Sequence, residues 1–293
     1  MIIPKQHKYE SFDHDYFNYL CWSNSSQPKT IIIAVHGING AASDYDKLAQ
    51  FLTSQHQNII IYAIETRGQG NDLNVKRRGD IQCKKHWFKD LDAFSKELRI
   101  KNPTAEIIWC GESMGSLIVS HCYSSKSYFI PDRMILLAPV VSLRPHLPIW
   151  KYQIVKCISY ILPRYRVSLT QLSGDQTVKV TQSSDNHDEQ AATNSYFVEK
   201  FTLRLLVNLG NLISSMISIA SKIDCPVIVL NGGNDYFTPA EYAESFYSGI
   251  PISDKNKHAY FDDAYHLLMY DTHQELIFRE ILEWIKDSSR ELT

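Results

Sequence analysis

Residues 111–115 read Gly-Glu-Ser-Met-Gly, a serine held between two glycines where the apolar run EIIWC stops and the helix-like run SLIVSHCY begins. The pattern G-x-S-x-G at a strand-to-helix junction suits a sharp, strained turn that a side chain at either glycine would obstruct. On such a turn the Ser113 hydroxyl projects beyond the strand end, at the positive end of the following helix. Alone the pattern is weak, because chance produces it in some chains of this length and a serine here also serves as an ordinary helix cap.

A serine hydroxyl attacks a carbonyl only when a base within hydrogen-bond reach takes its proton. Histidine suits that work, since its ordinary pKa of about 6.5 leaves much of it neutral near pH 7. A carboxylate must then fix the ring's tautomer and stabilise the imidazolium that forms. His266 follows the run KHAYFDDAY and opens HLLMYD, while Asp235 follows PVIVLNGGN. The chain order Ser113, Asp235, His266 is the one an elbow-type hydrolase requires. His121, His258 and His273 are the nearest rivals as base, but none stands in a loop after a predicted strand. Asp262, Asp263 and Asp271 lie nearer His266 in sequence, yet Asp235 alone follows a long buried strand and a Gly-Gly turn.

Attack on a carbonyl places negative charge on oxygen, which must meet preplaced donors. The Met114 amide, immediately after the nucleophile, is one expected donor. The other is expected from the loop HGINGAASDY, where Gly37 and Gly40 permit unusual backbone angles and the Ile38 amide is best placed. A strand-ending turn is the bland reading of His36-Gly37, and only its combination with the other loops gives it weight.

These residues need a frame that brings four loops to one rim. TIIIAVHG (30–37), NIIIYAI (58–64), EIIWC (106–110), RMILLAPVV (133–141), CPVIVL (225–230) and KHAYF (257–261) are short apolar runs with strand character. Between them DYDKLAQFLTSQ, KHWFKDLDAFSKELR (85–99) and HQELIFREILEWIKD (273–287) carry helical spacing. YFNYLCW (16–22) is expected as an outer antiparallel strand. Strands alternating with helices imply an α/β fold with a mainly parallel central sheet and helices on both faces. In such sheets, sites form beyond the carboxyl ends of the strands.

The rhythm breaks between Val141 and Ser221, giving a core of residues 1–141 and 222–293 and a helical cap or lid insertion at 142–221. The cap holds two helix-like pieces, LPIWKYQIVKCISYIL and EKFTLRLLVNLGNLISSMISIA, around a polar stretch at 170–195. The competing view makes these pieces ordinary crossover helices.

With these segments in view, the chain resembles the α/β-hydrolase family, in particular its monoacylglycerol lipase and lysophospholipase branch. The resemblance is carried by IIIAVHGING, IYAIETRGQGND, WCGESMGSLIVSH, ILLAPVV, VIVLNGGNDYFTP and YHLLMYD. It implies Ser113 as nucleophile, Asp235 as acid, His266 as base, and Ile38 and Met114 as amide donors to the oxyanion. Glu65 and Asn71 stand where that branch usually has aspartate and serine, and Ser116 replaces a frequent glycine. None of these removes a catalytic group, though they weaken transfer of a particular substrate.

Composition excludes several classes. The 293 residues are 44% hydrophobic and 21% charged, with a formal net charge of −2, which argues against general nucleic-acid binding. Arg67-Gly68-Gln69-Gly70 lacks the spacing of a dinucleotide fingerprint or a P-loop, and is expected as a structural loop on the oxyanion side. The six cysteines are scattered and are read as buried free thiols of a reducing compartment, with no metal-ligand spacing. No cofactor or metal is expected. No signal-peptide core is visible at the amino terminus, and no stretch approaches the roughly 20 apolar residues of a spanning helix, so a cytoplasmic location is expected.

Between Val140 and Leu169 there is no acidic residue, while Arg144, Lys151, Lys156, Arg164 and Arg166 are interleaved with aliphatic and aromatic side chains. That mixture suits peripheral contact with an anionic membrane, and equally an amphipathic helix with a solvated basic side. Phe197, Phe201, Leu205, Leu206, Leu209, Leu212, Ile213 and Met216 could line an acyl-chain channel, although most of such a stripe is core packing. The expected activity is hydrolysis of carboxylic esters through an acyl-enzyme, on single-acyl-chain lipids such as monoacylglycerols or lysophospholipids. A peptidase, a carbon–carbon bond hydrolase or a non-catalytic binder on the same scaffold remain the alternatives.

Overall fold

The computed structural model describes residues 2–142, 149–168, 180–181 and 196–289. Its framework is an eight-stranded sheet: β1 (Lys5–Glu10), β2 (Tyr16–Trp22), β3 (Thr30–Val35), β4 (Ile59–Ile64), β5 (Glu106–Glu112), β6 (Arg133–Leu137), β9 (Val227–Gly232) and β10 (Lys257–Phe261). Their spatial order is β1-β2-β4-β3-β5-β6-β9-β10. β2 pairs antiparallel with both β1 and β4, and every other pairing in this sheet is parallel. A separate two-stranded pair joins β7 (Arg166–Val167) to β8 (Phe201–Thr202).

Parallel strands covered on both faces are largely apolar, and β3 and β6 are buried throughout, the one charge at their starts, Arg133, being paired with Glu106. Alternate residues serve opposite layers. Ile31, Ile33 and Val35 face one cluster with Trp87, Phe94, Leu117 and Ile118, while Ile32 and Ala34 face the other with Leu48, Leu52, Ile281 and Trp284. The first layer is supplied by α2 (Lys84–Lys101) and α3 (Met114–Ser124), the second by α1 (Asp46–Gln55) and, at the carboxyl end, α7 (Gln274–Ser289).

After β6 the chain forms α4 (Ile149–Ile161) and then α5 (Leu203–Ile219), before β9 and α6 (Ala240–Ser248). α5 packs on both α3 and α4. Its Leu205, Leu212 and Met216 join the core, so this helix serves partly as the crossover that the competing view proposed. Tyr152 of α4 fits against Gly210 of α5 and donates its hydroxyl hydrogen to the Asn211 side-chain oxygen (2.9 Å).

Several details differ from the sequence reading. A further strand, β1, lies outside β2; its residues are mostly exposed, so KQHKYE shows no buried pattern to find. The run 133–141 stops as a strand at Leu137, because Ala138 takes φ 43° and turns the chain away. α5 starts at Leu203, where the Thr202 hydroxyl accepts the Leu205 amide hydrogen and caps it. The stretch Leu203–Lys222 is also long and apolar enough, by length and composition alone, to cross a membrane. Counting unbroken apolar residues overlooked it because Asn208, Asn211 and several serines interrupt the run. Its packing on α3 accounts for that apolar character as a core helix. The cysteines are all free, but only Cys110, Cys122 and Cys225 are buried; Cys157 is exposed on α4. The polar stretch 170–195, apart from residues 180–181, and Arg144 lie outside the described residues.

Candidate active site

The sheet delivers Ser113, Asp235 and His266 to one rim, each just beyond the carboxyl end of a strand or its following turn. Ser113 stands between β5 and α3 with φ 50° and ψ −112°, a conformation that L residues adopt only under constraint. The constraint is visible in its flanking glycines. A Cβ on Gly115 would overlap the Val35 carbonyl, and one on Gly111 would overlap the Gly115 backbone. Ser116 then ties the elbow down, its hydroxyl lying 2.6 Å from the Gly111 carbonyl and 3.1 Å from that of Leu137. The sequence departure at residue 116 therefore adds an anchor where glycine would supply none.

His266 Nε2 lies 2.9 Å from Ser113 Oγ, and its Nδ1 lies 2.8 Å from Asp235 Oδ2. All three are buried, at 7% exposure for Ser113, 5% for His266 and 4% for Asp235. The other carboxylate oxygen of Asp235 accepts the amide hydrogens of Phe237 (2.8 Å) and Thr238 (3.2 Å), which hold its orientation. The Phe237 ring meets the imidazole edge-on at 4.8 Å. With Nδ1 protonated toward Asp235, Nε2 is left to accept the serine proton.

The rivals are engaged elsewhere. Asp271 accepts from the Tyr265 amide (3.0 Å) and sits 2.9 Å from His273 Nδ1. His121 donates from Nδ1 to the Leu117 carbonyl (3.0 Å), and His258 lies within β10 against Asn231 and Glu244. None of them reaches Ser113.

Gly37 and Ile38 border the same cavity as Ser113 and Met114. A Cβ on Gly37 would stand 3.4 Å from that of Ser113, so the loop lies directly against the elbow. Met114 opens α3, and an amide in the first turn has no acceptor within its own helix. The loop after β4 braces both segments. Gln69 is fully buried, accepts the Asn39 amide hydrogen (2.9 Å) and lies 3.0 Å from the Met114 sulfur. His36 donates to the Gly37 carbonyl (2.8 Å) and accepts from the Thr66 amide (3.1 Å). Burial pushes its pKa down to about 4, so it remains neutral in these contacts. Glu65 accepts the Asn71 amide hydrogen (3.0 Å), and burial pushes its carboxyl up to about 7. Gln69 was read in the sequence only as part of a structural loop, and its bridging role had no sequence signal beyond that position.

The cavity measures about 310 Å³. Its walls are mostly apolar and include Leu117, Val140, Phe197, Leu209, Ile213 and Phe237. Of the stripe expected to form a channel, Phe197, Leu209 and Ile213 line it, while Phe201, Leu205, Leu212 and Met216 are core. Glu112, beside Ser113, also borders the cavity and was not singled out from sequence; β5 has a glutamate at each end, and only Glu112 of the two is buried. Among the described residues, no three His, Cys, Asp or Glu side chains converge in a way that could hold a metal ion.

Comparison with known proteins adds to this geometry. A family profile described as serine aminopeptidase, S33, matches residues 26–273. A monoacylglycerol lipase of Mycolicibacterium smegmatis is 22% identical over 274 residues, covering 91% of each chain. A monoglyceride lipase of Saccharomyces cerevisiae is 23% identical over 298 residues, covering 95% of this chain and 92% of that protein. The crystal structure of a soluble variant of the Saccharomyces cerevisiae monoglyceride lipase, in complex with a substrate analog, superposes with a TM-score of 0.82. That superposition has 18% identity and covers 98% of this chain and 96% of the other.

Proposed function

Given that the chain belongs to the serine aminopeptidase S33 family of α/β-hydrolases, we propose that it cleaves carboxylic esters of single-acyl-chain lipids through an acyl-enzyme on Ser113. The observation that carries the reading is the 2.9 Å approach of His266 Nε2 to a strained, buried Ser113 Oγ, backed by the 2.8 Å contact with Asp235. The mostly apolar cavity supports an acyl chain over a peptide, whose amides would need polar partners along the walls. The names of the two lipase relatives point the same way.

In this reading the Ser113 proton passes to His266 Nε2 as Oγ bonds to the ester carbonyl carbon. The carbonyl oxygen becomes an oxyanion held by the amides of Ile38 and Met114, each such donor typically being worth about 2.7–4 kcal/mol. The imidazolium, steadied by Asp235, returns its proton to the departing alkoxide oxygen as the carbon–oxygen bond breaks. Water then enters, its oxygen bonds to the acyl carbon as His266 takes one of its protons, and His266 returns that proton to Ser113 Oγ as the acyl–Oγ bond breaks and the acid leaves.

We read residues 142–221 as a cap that roofs the cavity. Contact of α4 with an anionic membrane belongs to the same proposal. Trp150, Tyr160 and Ile161 are 62%, 77% and 81% exposed, and Lys151 and Arg164 lie beside them at the surface. Large apolar side chains left in water next to cations fit a lipid headgroup region.

A panel of aryl esters, monoacylglycerols, lysophospholipids and aminoacyl amides, run beside fluorophosphonate labelling, tests the reading. Ester turnover with label mapped to Ser113 is expected. A folded protein that hydrolyses only the amides, or takes no label, would overturn it.

A further inference from the structure

The geometry points to Gln69 as a positioning residue for the oxyanion site: its one side-chain amide holds the loop that carries Ile38 in register with the helical turn that carries Met114. The inference rests on the ester-hydrolase reading above.

Gln69 is fully buried, and its backbone is held on both sides. Its amide donates to the Thr66 carbonyl (2.9 Å), and its carbonyl accepts the Asp72 amide hydrogen (3.1 Å). The buried Asp72 carboxylate in turn accepts from the Gly68 amide (2.6 Å) and from Arg77 Nε (2.6 Å). The root of the side chain is therefore fixed, and its tip reaches two separate segments. Oε1 accepts the Asn39 amide hydrogen (2.9 Å), and Nε2 donates toward the Met114 sulfur (3.0 Å). A backbone N–H can only donate, which sets the orientation of the side-chain amide. Sulfur is a weak acceptor, so the bond to Asn39 is the stronger arm.

Ile38 is thereby gripped from both sides. Its N–H shares a rigid peptide plane with the Gly37 carbonyl, which accepts from His36 Nδ1 (2.8 Å) and from the Gly40 amide (3.1 Å). The next peptide plane ends at the Asn39 N–H, which Gln69 holds. Asn39 takes φ 62°, a left-handed conformation that an L residue keeps only under restraint. Releasing it lets the loop relax and carries the Ile38 amide with it. An oxyanion needs its donors close to one point, so the placement of the two segments relative to each other matters more than the order of either. Gln69 touches both.

The test compares wild type, Gln69→Met and Met114→Leu. Gln69→Met keeps the length of the side chain but gives the Asn39 amide no strong acceptor. Each protein is assayed on a soluble aryl ester and with two ketones bearing the same acyl chain. With the trifluoromethyl ketone, Ser113 Oγ adds to the carbonyl carbon, its proton passes to His266 and the ketone oxygen becomes an oxyanion. The methyl ketone reports binding without that adduct. Gln69→Met is expected to lower kcat about 10- to 100-fold, with KM within about threefold of wild type. The trifluoromethyl ketone should weaken by the same factor and the methyl ketone hardly at all. A purely structural role would lower the urea midpoint and spare both kcat and the trifluoromethyl ketone. Met114→Leu conserves volume and the backbone amide but removes the sulfur; it should lower kcat about two- to fivefold, and add almost nothing on top of Gln69→Met.

Gln69→Met with kcat and trifluoromethyl ketone affinity close to wild type, or with its loss confined to KM, would overturn the inference. Should that variant not fold, Met114→Leu decides alone, and unchanged kcat and trifluoromethyl ketone affinity would overturn it. Wild type that neither turns over esters nor labels at Ser113 removes the ester-hydrolase reading as well. Active, labelled wild type with insensitive variants removes only the role of Gln69.

Discussion

α3 and α4 are both rich in apolar residues, yet they meet opposite surroundings. Every residue of α3 is buried, wedged between the sheet and α5. On α4, Trp150, Ile154, Ile158, Tyr160 and Ile161 are exposed. For α3, hydrophobicity is explained by packing: the helix that carries the elbow cannot shift without disturbing β3, β5 and α5 together. For α4, packing on α5 covers Tyr152, Val155 and Ser159 in whole or part and leaves the rest of its apolar surface exposed. One helix anchors the Ser113 turn; the other leaves large apolar side chains in solvent.

The contrast can be broken at several points. Ser113→Ala should leave the fold intact and lower kcat roughly 10⁵-fold on an ester, measured with active-site-titrated wild type as reference. A residual rate within tenfold of wild type would mean that the elbow is not the reacting centre. Gly115→Ala forces a methyl group into the Val35 carbonyl, and should cost about 3 kcal/mol, with activity lost alongside. Urea unfolding would register it as a lower midpoint with an unchanged slope.

The junction of α3 with α5, on which α4 also packs, should respond to acid. His121 on α3 shares a hydrogen bond with Ser215 of α5 (2.9 Å), and burial pushes its pKa down to about 4. The unfolded chain binds this proton from about pH 6.5 downward, while the folded chain resists until about pH 4. Stability from this site is therefore present above pH 6.5 and lost as pH falls toward 4, by at most about 3 kcal/mol. Replacing His121 with Gln should make the drop in unfolding free energy between pH 6.5 and 4 shallower; an identical drop would show that the histidine is not strained by burial. Smallest of all in solution, Trp150→Ala with Ile161→Ser should change stability by no more than about 0.5 kcal/mol. The same pair should weaken sedimentation with phosphatidylserine vesicles several-fold, since each large apolar side chain is worth about 1.5–3 kcal/mol on full burial. Unchanged vesicle binding would leave α4 without its proposed role.

Much of the frame was readable because strands covered on both faces carry unbroken apolar runs, as IIIAV and MILL are. The three strand-end residues could be named because their chemistry demands a fixed order on a wound sheet, and the structure brings Ser113, Asp235 and His266 together. What escaped was set by tertiary context. β1 is an exposed edge whose polar residues carry no period. Gln69 matters through two contacts made across the fold, and a lone glutamine in a glycine-rich loop announces neither. Glu112 stands directly before Ser113 in the chain, but its burial depends on the Gly37 loop lying against the strand end, which the sequence does not reveal.

The Asn39 side chain, on the loop that carries Ile38, accepts the Val198 amide hydrogen at 3.1 Å. The residue beside Ile38 is thus tied to a segment that is itself anchored, with Thr202 bonding the Gly79 carbonyl (2.8 Å) and Asp80 (2.7 Å), so this wall of the cavity is fixed at both ends.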